Sequence, residues 1–91
     1  MEDIEQKLAE LKTKFLALGL QRADALEAAL AAGDRDEVKA IAHGISGTAG
    51  MFGLTDIGRS AARLEAIIFE GGDPQDQAQS LVAALRQLGD S

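Results

Sequence analysis

Apolar residues recur along the chain at intervals of three and four, with charged and polar positions between them, over almost its whole length. That spacing collects them on one face of an α-helix. Five such stretches are separated by their punctuation. The first runs from about Asp3 to Leu18 and aligns Ile4, Leu8, Leu11, Phe15 and Leu18, with Gly19 as its expected stop. The second, from about Leu20 to Ala32, presents Ala23, Leu26 and Leu30, and Gly33 follows where a left-handed C-cap is wanted. Asp34, with Glu37 three residues on, has the form of a capping box and opens a third helix to about Phe52, closed by Gly53. The fourth, from about Leu54 to Glu70, aligns Leu54, Ile57, Ala61, Leu64 and Ile68 and is stopped by Gly71-Gly72. Asp73-Pro74 then supplies an N-cap and a proline at the first helical position. The fifth helix follows to about Leu88, with Ala78, Leu81, Val82, Leu85 and Leu88 on its apolar face.

The joints are short, about two to four residues, so neighbouring helices should run antiparallel. The expected fold is all-α: an up-and-down antiparallel four-helix bundle in a single domain over residues 1–91. The last four helices, or four of the five, are expected to form the main bundle, with the remaining segment, the additional N-terminal helix, covering one end or side. Composition agrees. The chain is 46% hydrophobic, yet its only aromatic residues are three Phe, so alanine and leucine supply most of the apolar content. Both are strong helix formers, and β-branched residues, from which a sheet would be built, are scarce.

Charge narrows the partners. Nine basic against fifteen acidic residues give a formal charge of −6. A binder of phosphate backbones needs a basic stripe, and no run of Lys or Arg exists here, which excludes nucleic acid. The same balance disfavours anionic membrane surfaces. No apolar run reaches the length of a spanning helix, and MEDIEQK is too acidic and polar for a signal peptide. With no cysteine there is neither a disulfide framework nor thiol chemistry. A cytoplasmic location is expected.

The chemistry concentrates in Ala42–Gly53, AHGISGTAGMFG, which holds the only histidine and four of the ten glycines. Taking Val38 as origin on the helix, Ile41, Ala42, Ile45, Ala49 and Phe52 fall within roughly 60° and form the buried stripe. His43 lies about 140° away and should stand in water. Gly47 and Gly50 follow on its face, Ala40 precedes it, and Gly44 borders it. Lys39 and Ser46 flank the strip as its nearest polar groups. Each helical glycine costs roughly 1 kcal/mol against alanine. A strip of bare backbone lets another macromolecule come close to the imidazole. A lone surface histidine ordinarily means nothing, but glycines opposite the apolar stripe are of no use to packing inside the bundle.

Several chemistries fall away. One His and no Cys make a zinc or iron site weak, and the residue three before His43 is Ala40, not Glu. No metal ligands are assigned. Ser46 is within helical reach of His43, but no oxyanion hole or pocket accompanies it. No glycine-rich loop follows a strand, so a nucleotide-binding loop is absent. One chemistry asks only for an exposed imidazole: accepting a phosphoryl group from a partner that brings its own machinery. An ordinary imidazole is largely neutral at neutral pH and keeps one nitrogen as a nucleophile. Phosphoryl transfer depends mainly on positioning and on neutralising charge, and both can come from the other protein.

The stretch resembles the histidine-containing phosphotransfer (HPt) domain family of two-component phosphorelays. The family pattern runs approximately H-x-L-K-G-x-[AS]-x-x-x-G-x-x-x-L, with six further residues before L-E. Here it is matched by His43, Ile45 in the leucine position, Gly47, Ala49, Gly53 and Ile57, then Leu64-Glu65. The likeness covers about Glu37 to Glu70. It implies that His43, through Nε2, accepts a phosphoryl group from a phospho-aspartate on a response-regulator receiver domain and passes it to another receiver aspartate, or the reverse. The phosphate originates with a histidine kinase, and the chain has no kinase activity of its own. No cofactor is implied for this chain; Mg²⁺ belongs to the receiver.

The resemblance makes Lys39, Ser46 and Gly47 the surroundings of the phosphohistidine, and Ala40, Gly44, Gly47, Gly50 and Met51 the docking surface. The family lysine three residues after the histidine is Ser46 here, which brings no charge, and Lys39 is its candidate substitute. Phe52, Ile57, Leu64 and Ile68 are assigned to the core. Glu65 lies off the apolar stripe and is read as a solvated residue without chemistry. A monomer is expected. Two other readings stand beside this one: a receiver-binding module of the same fold that no longer transfers, and a structural helical adaptor or small helical enzyme.

Overall fold

The computed structural model describes residues 2–90, with side chains for 4–88. Four helices follow one another: α1 (Glu2–Ala32), α2 (Arg35–Met51), α3 (Thr55–Phe69) and α4 (Gln75–Asp90). No strand occurs among the described residues. Neighbours in the bundle are α1 with α2, α2 with α3, α3 with α4, and α4 with α1, a closed up-and-down ring. No helix among the described residues is long and apolar enough to cross a membrane.

The joints follow the sequence signals closely. Gly33, Gly53 and Gly71 all have positive φ, 68°, 71° and 81°. Behind each, the next residue's N–H reaches back over a full turn: Asp34 to Ala29 at 3.0 Å, Leu54 to Ala49 at 2.9 Å and Gly72 to Ile67 at 2.8 Å. This is the Schellman closure, in which a left-handed residue turns the chain and satisfies the last free carbonyls. On the entry side, Asp34 accepts the Glu37 N–H at 3.1 Å. Asp73 accepts the Gln75 N–H at 3.0 Å. Both carboxylates occupy orphan donors at a helix start.

The first two expected helices are one. Gly19 does not stop the chain: α1 continues through it for 31 residues, and Gly19 is absent from the positive-φ glycines. No proline or capping side chain follows it, and Leu18 and Leu20 on either side favour helix, so nothing forces an exit. Gly19 is instead buried, and a Cβ built on it would lie 3.8 Å from Leu85 Cδ2 of α4. A separate N-terminal helix folded over the bundle is therefore not found. Residues 4–14 are all exposed, Ile4 by 64% and Leu8 by 61%. The molecule is 49 Å long and 19 Å across, because α1 runs on past the bundle.

A direct consequence is testable. Gly19→Ala is expected to stabilise the protein by about 0.5–1 kcal/mol, since the helix gains propensity and the new methyl meets Leu85 at ordinary contact distance. A turn at Gly19 would give the opposite sign, and the urea midpoint decides between them.

The core is the set of stripes expected from the pattern, starting at α1's second half. Leu26, Val38, Ile45, Leu64, Leu81 and Leu85 are its largest fully enclosed side chains. Each contributes about 1.5–3 kcal/mol of transfer free energy. Among the described residues it contains no buried polar or charged side chain. Ile57, Leu64 and Ile68 are buried as expected. Phe52 is not: it caps α2 at the end of the bundle, 36% exposed, with its ring 4.5 Å from that of Phe15. Its stripe azimuth points inward, but the helix ends there and little core remains to receive the ring.

Candidate functional site

Helix α2 carries its apolar stripe, Val38, Ala42, Ile45 and Ala49, into the core. The opposite face therefore turns to solvent, and His43 stands on it with 81% of its side chain exposed. A Cβ added at Gly47 or Gly50 would meet nothing within 4 Å. Ala40 is exposed on the same face, and Met51 at its end is 84% exposed. The imidazole thus rises from a strip that presents little but backbone.

The two flanks of the strip differ. On the α3 side, His43 Nδ1 lies 3.2 Å from Glu65 Oε2 and 3.3 Å from Oε1. A carboxylate can only accept, so Nδ1 carries the proton and donates it, and in the neutral ring Nε2 is left with its lone pair. Glu65 is only 24% exposed, so this contact is better shielded than an ordinary surface pair. The reading of Glu65 as a solvated residue without a role is corrected here: its carboxylate holds the one imidazole. It lies 22 residues from His43, and only the α2/α3 register brings the two together. The Leu64-Glu65 pair at the end of the family pattern was the signal that could have found it.

That register is tight because Gly58 faces α2. A Cβ on it would lie 3.7 Å from Ala49 Cβ and 3.8 Å from the Ser46 carbonyl oxygen. Ser46 is half-buried beside this contact. Lys39, one turn before His43, is drawn along the same flank: its Nζ sits 5.4 Å from the centre of the Phe69 ring. A cation over an aromatic face is held there by the ring quadrupole. Lys39 and Phe69 pair across α2 and α3 one turn away from His43 and Glu65.

On the α1 side, Gly44 is not bare. The Arg22 guanidinium rests where its Cβ would be, with Cζ at 3.2 Å and Nη2 at 3.4 Å from that position and Nη1 closer still. Gly44 is thus a seat for a side chain of this molecule, unlike Gly47 and Gly50. Thr48 Oγ1 donates to the Gly44 carbonyl at 2.9 Å on the same flank.

No group of three or more His, Cys, Asp or Glu side chains is placed to hold a metal ion among the described residues. The arrangement offers one nucleophilic nitrogen, held in one tautomer, on an open convex surface. A family model described as Hpt domain matches residues 10–90, nearly the whole chain. The match begins within the exposed stretch of α1 and takes in the entire bundle. No curated protein matches the chain, and no solved structure matches it.

Proposed function

Because the chain belongs to the Hpt domain family, whose members carry histidine phosphotransfer in phosphorelays, we propose that His43 is its phosphoacceptor and receiver domains are its partners. The observation that carries this reading is the Nδ1 contact with Glu65 on an otherwise stripped surface. With Nδ1–H donated to the carboxylate, the Nε2 lone pair attacks the phosphorus of an aspartyl phosphate. The N–P bond forms, the P–O bond to the aspartate breaks, and the aspartate leaves as a carboxylate with the electron pair. The ring keeps its Nδ1 proton and becomes cationic, and Glu65 compensates that charge. The receiver's own acidic pocket, with Mg²⁺, neutralises the moving phosphoryl. The return transfer is the same sequence reversed.

Ala40, Gly47 and Gly50 let a receiver's backbone approach the ring, and exposed Met51 at the end of the strip offers it an apolar contact. A phosphohistidine is lost in acid and kept in base, so the test is incubation with a labelled phospho-receiver. Label of that lability on this chain supports the proposal; label stable to acid, or none, overturns it.

Glu65 has its own expected outcome. Glu65→Ala frees the ring to take either tautomer and leaves the ring's positive charge without its partner. Single-turnover transfer should slow about tenfold, equivalent to about 1.4 kcal/mol in the barrier. Glu65→Gln, whose carbonyl still accepts from Nδ1, should retain part of the rate.

A further inference from the structure

The charges around His43 are unbalanced for the group it is proposed to carry. A phosphoryl group adds close to two negative charges and three strong acceptor oxygens. Glu65 already stands on one flank. Ser46 brings no charge, and Lys39 is engaged over Phe69. Arg59 and Arg63 share α3 with Glu65 but lie about 120° and 160° around the helix from it, and both are exposed. One cation remains on the α1 side of the strip. Arg22 reaches across from α1 and lies on Gly44, the residue next to His43.

Arg22 is also incompletely satisfied. Its Nε is buried and has no hydrogen-bond partner, and no ion pair joins it to a carboxylate among the described residues. Arg86 shows the contrast: on α4 it pairs with both Asp24 and Glu27 of α1. A half-buried guanidinium without a counter-ion is an anion site in waiting, since its fork of donors matches phosphate oxygens. Nε2 lies across the ring from the Nδ1 that Glu65 holds on the α3 side. The phosphoryl is therefore carried outward and away from Glu65, on a strip whose other flank holds Arg22 on Gly44.

We infer that Arg22 is the phosphoryl-binding cation of this chain, swinging from its seat on Gly44 to pair with the phosphate on His43. The inference rests on His43 being the phosphoacceptor. It also gives Gly44 a second reason to be glycine: the seat holds the charge within one residue of the ring.

The test reads how phosphorylation changes stability. Phosphoramidate labels the imidazole directly: Nε2 attacks phosphorus, the N–P bond to the ring forms, the reagent's P–N bond breaks, and ammonia leaves. Urea midpoints are then measured at pH 8 for labelled and unlabelled protein, with ³¹P NMR confirming the label. The difference between the two midpoints removes any purely structural effect of a substitution, because that effect enters both. The difference should be more favourable in the wild type than in Arg22→Gln by about 0.5–1 M urea. Arg22→Lys should keep part of it. Equal differences in the wild type and Arg22→Gln overturn the inference. A wild type that takes no label, or a His43→Gln variant that does, overturns the reading of His43 itself and this inference with it.

Discussion

Replacing His43 with glutamine is expected to abolish acid-labile phosphate on the protein altogether, while the unfolding free energy changes by less than about 0.5 kcal/mol. The two parts of this outcome have separate causes. The chain has a single histidine and no cysteine, so no second side chain of the same chemistry can take over the phosphoryl group. The imidazole is largely exposed and its hydrogen bond goes to Glu65, so the fold loses little when it goes. Glutamine keeps a polar head of similar reach and can still donate to that carboxylate. Transfer from a labelled phospho-receiver, followed beside a denaturation curve, reads both at once. Undiminished labelling of His43→Gln would move the site elsewhere on the chain.

Gly47→Gln is expected to separate stability from function in opposite directions. Position 47 is inside α2 with open space beyond it. A side chain there gains helix propensity without a clash, and the protein should become more stable by about 0.5–1 kcal/mol. The same side chain stands one turn from His43 on the face where a receiver must close. It holds the partner's backbone away from Nε2, and transfer chemistry tolerates little displacement: about 1 Å can cost a hundredfold. The expected result is a protein that melts later and transfers about a hundredfold more slowly. Were its transfer rate unchanged, the glycines would not be clearance for a partner, and the docking surface would lie on another face.

The capped joints and the exposed histidine were legible in the sequence for a common reason. Each is decided within one turn of helix. A glycine followed by an aspartate or proline ends one helix and starts another whatever the surroundings, as at Gly33-Asp34 and Gly71-Gly72-Asp73-Pro74. The 100° step then places His43 opposite Val38 and Ile45 once the stripe is known to be buried. Gly19 shows the limit of that reasoning. Its residue type suggested a stop, but a glycine ends a helix only when the chain beyond has a cap or contact to reward the turn. Here α4 offers Leu85 against a straight α1.

Phe52, Glu65 and Arg22 lie beyond local reasoning. A helical wheel separates inward from outward, but a residue at the margin of the stripe can face either water or the neighbouring helix. Glu65 occupies that margin, and its place beside His43 depends on how α3 slides along α2, which the close approach at Gly58 sets. Arg22 likewise reaches Gly44 only because α1 runs beside α2 at that height.

The amino-acid sequence by itself determined the helical class, three of the joints, the buried stripes and the exposure of a single imidazole, because helix periodicity and end-capping act over a few residues. Only the tertiary structure decided that α1 is continuous, that Glu65 holds Nδ1 and that Arg22 lies on Gly44, the residue next to His43. Those contacts join side chains about twenty residues apart, and their distances follow from the packing of whole helices, to which no local preference is sensitive.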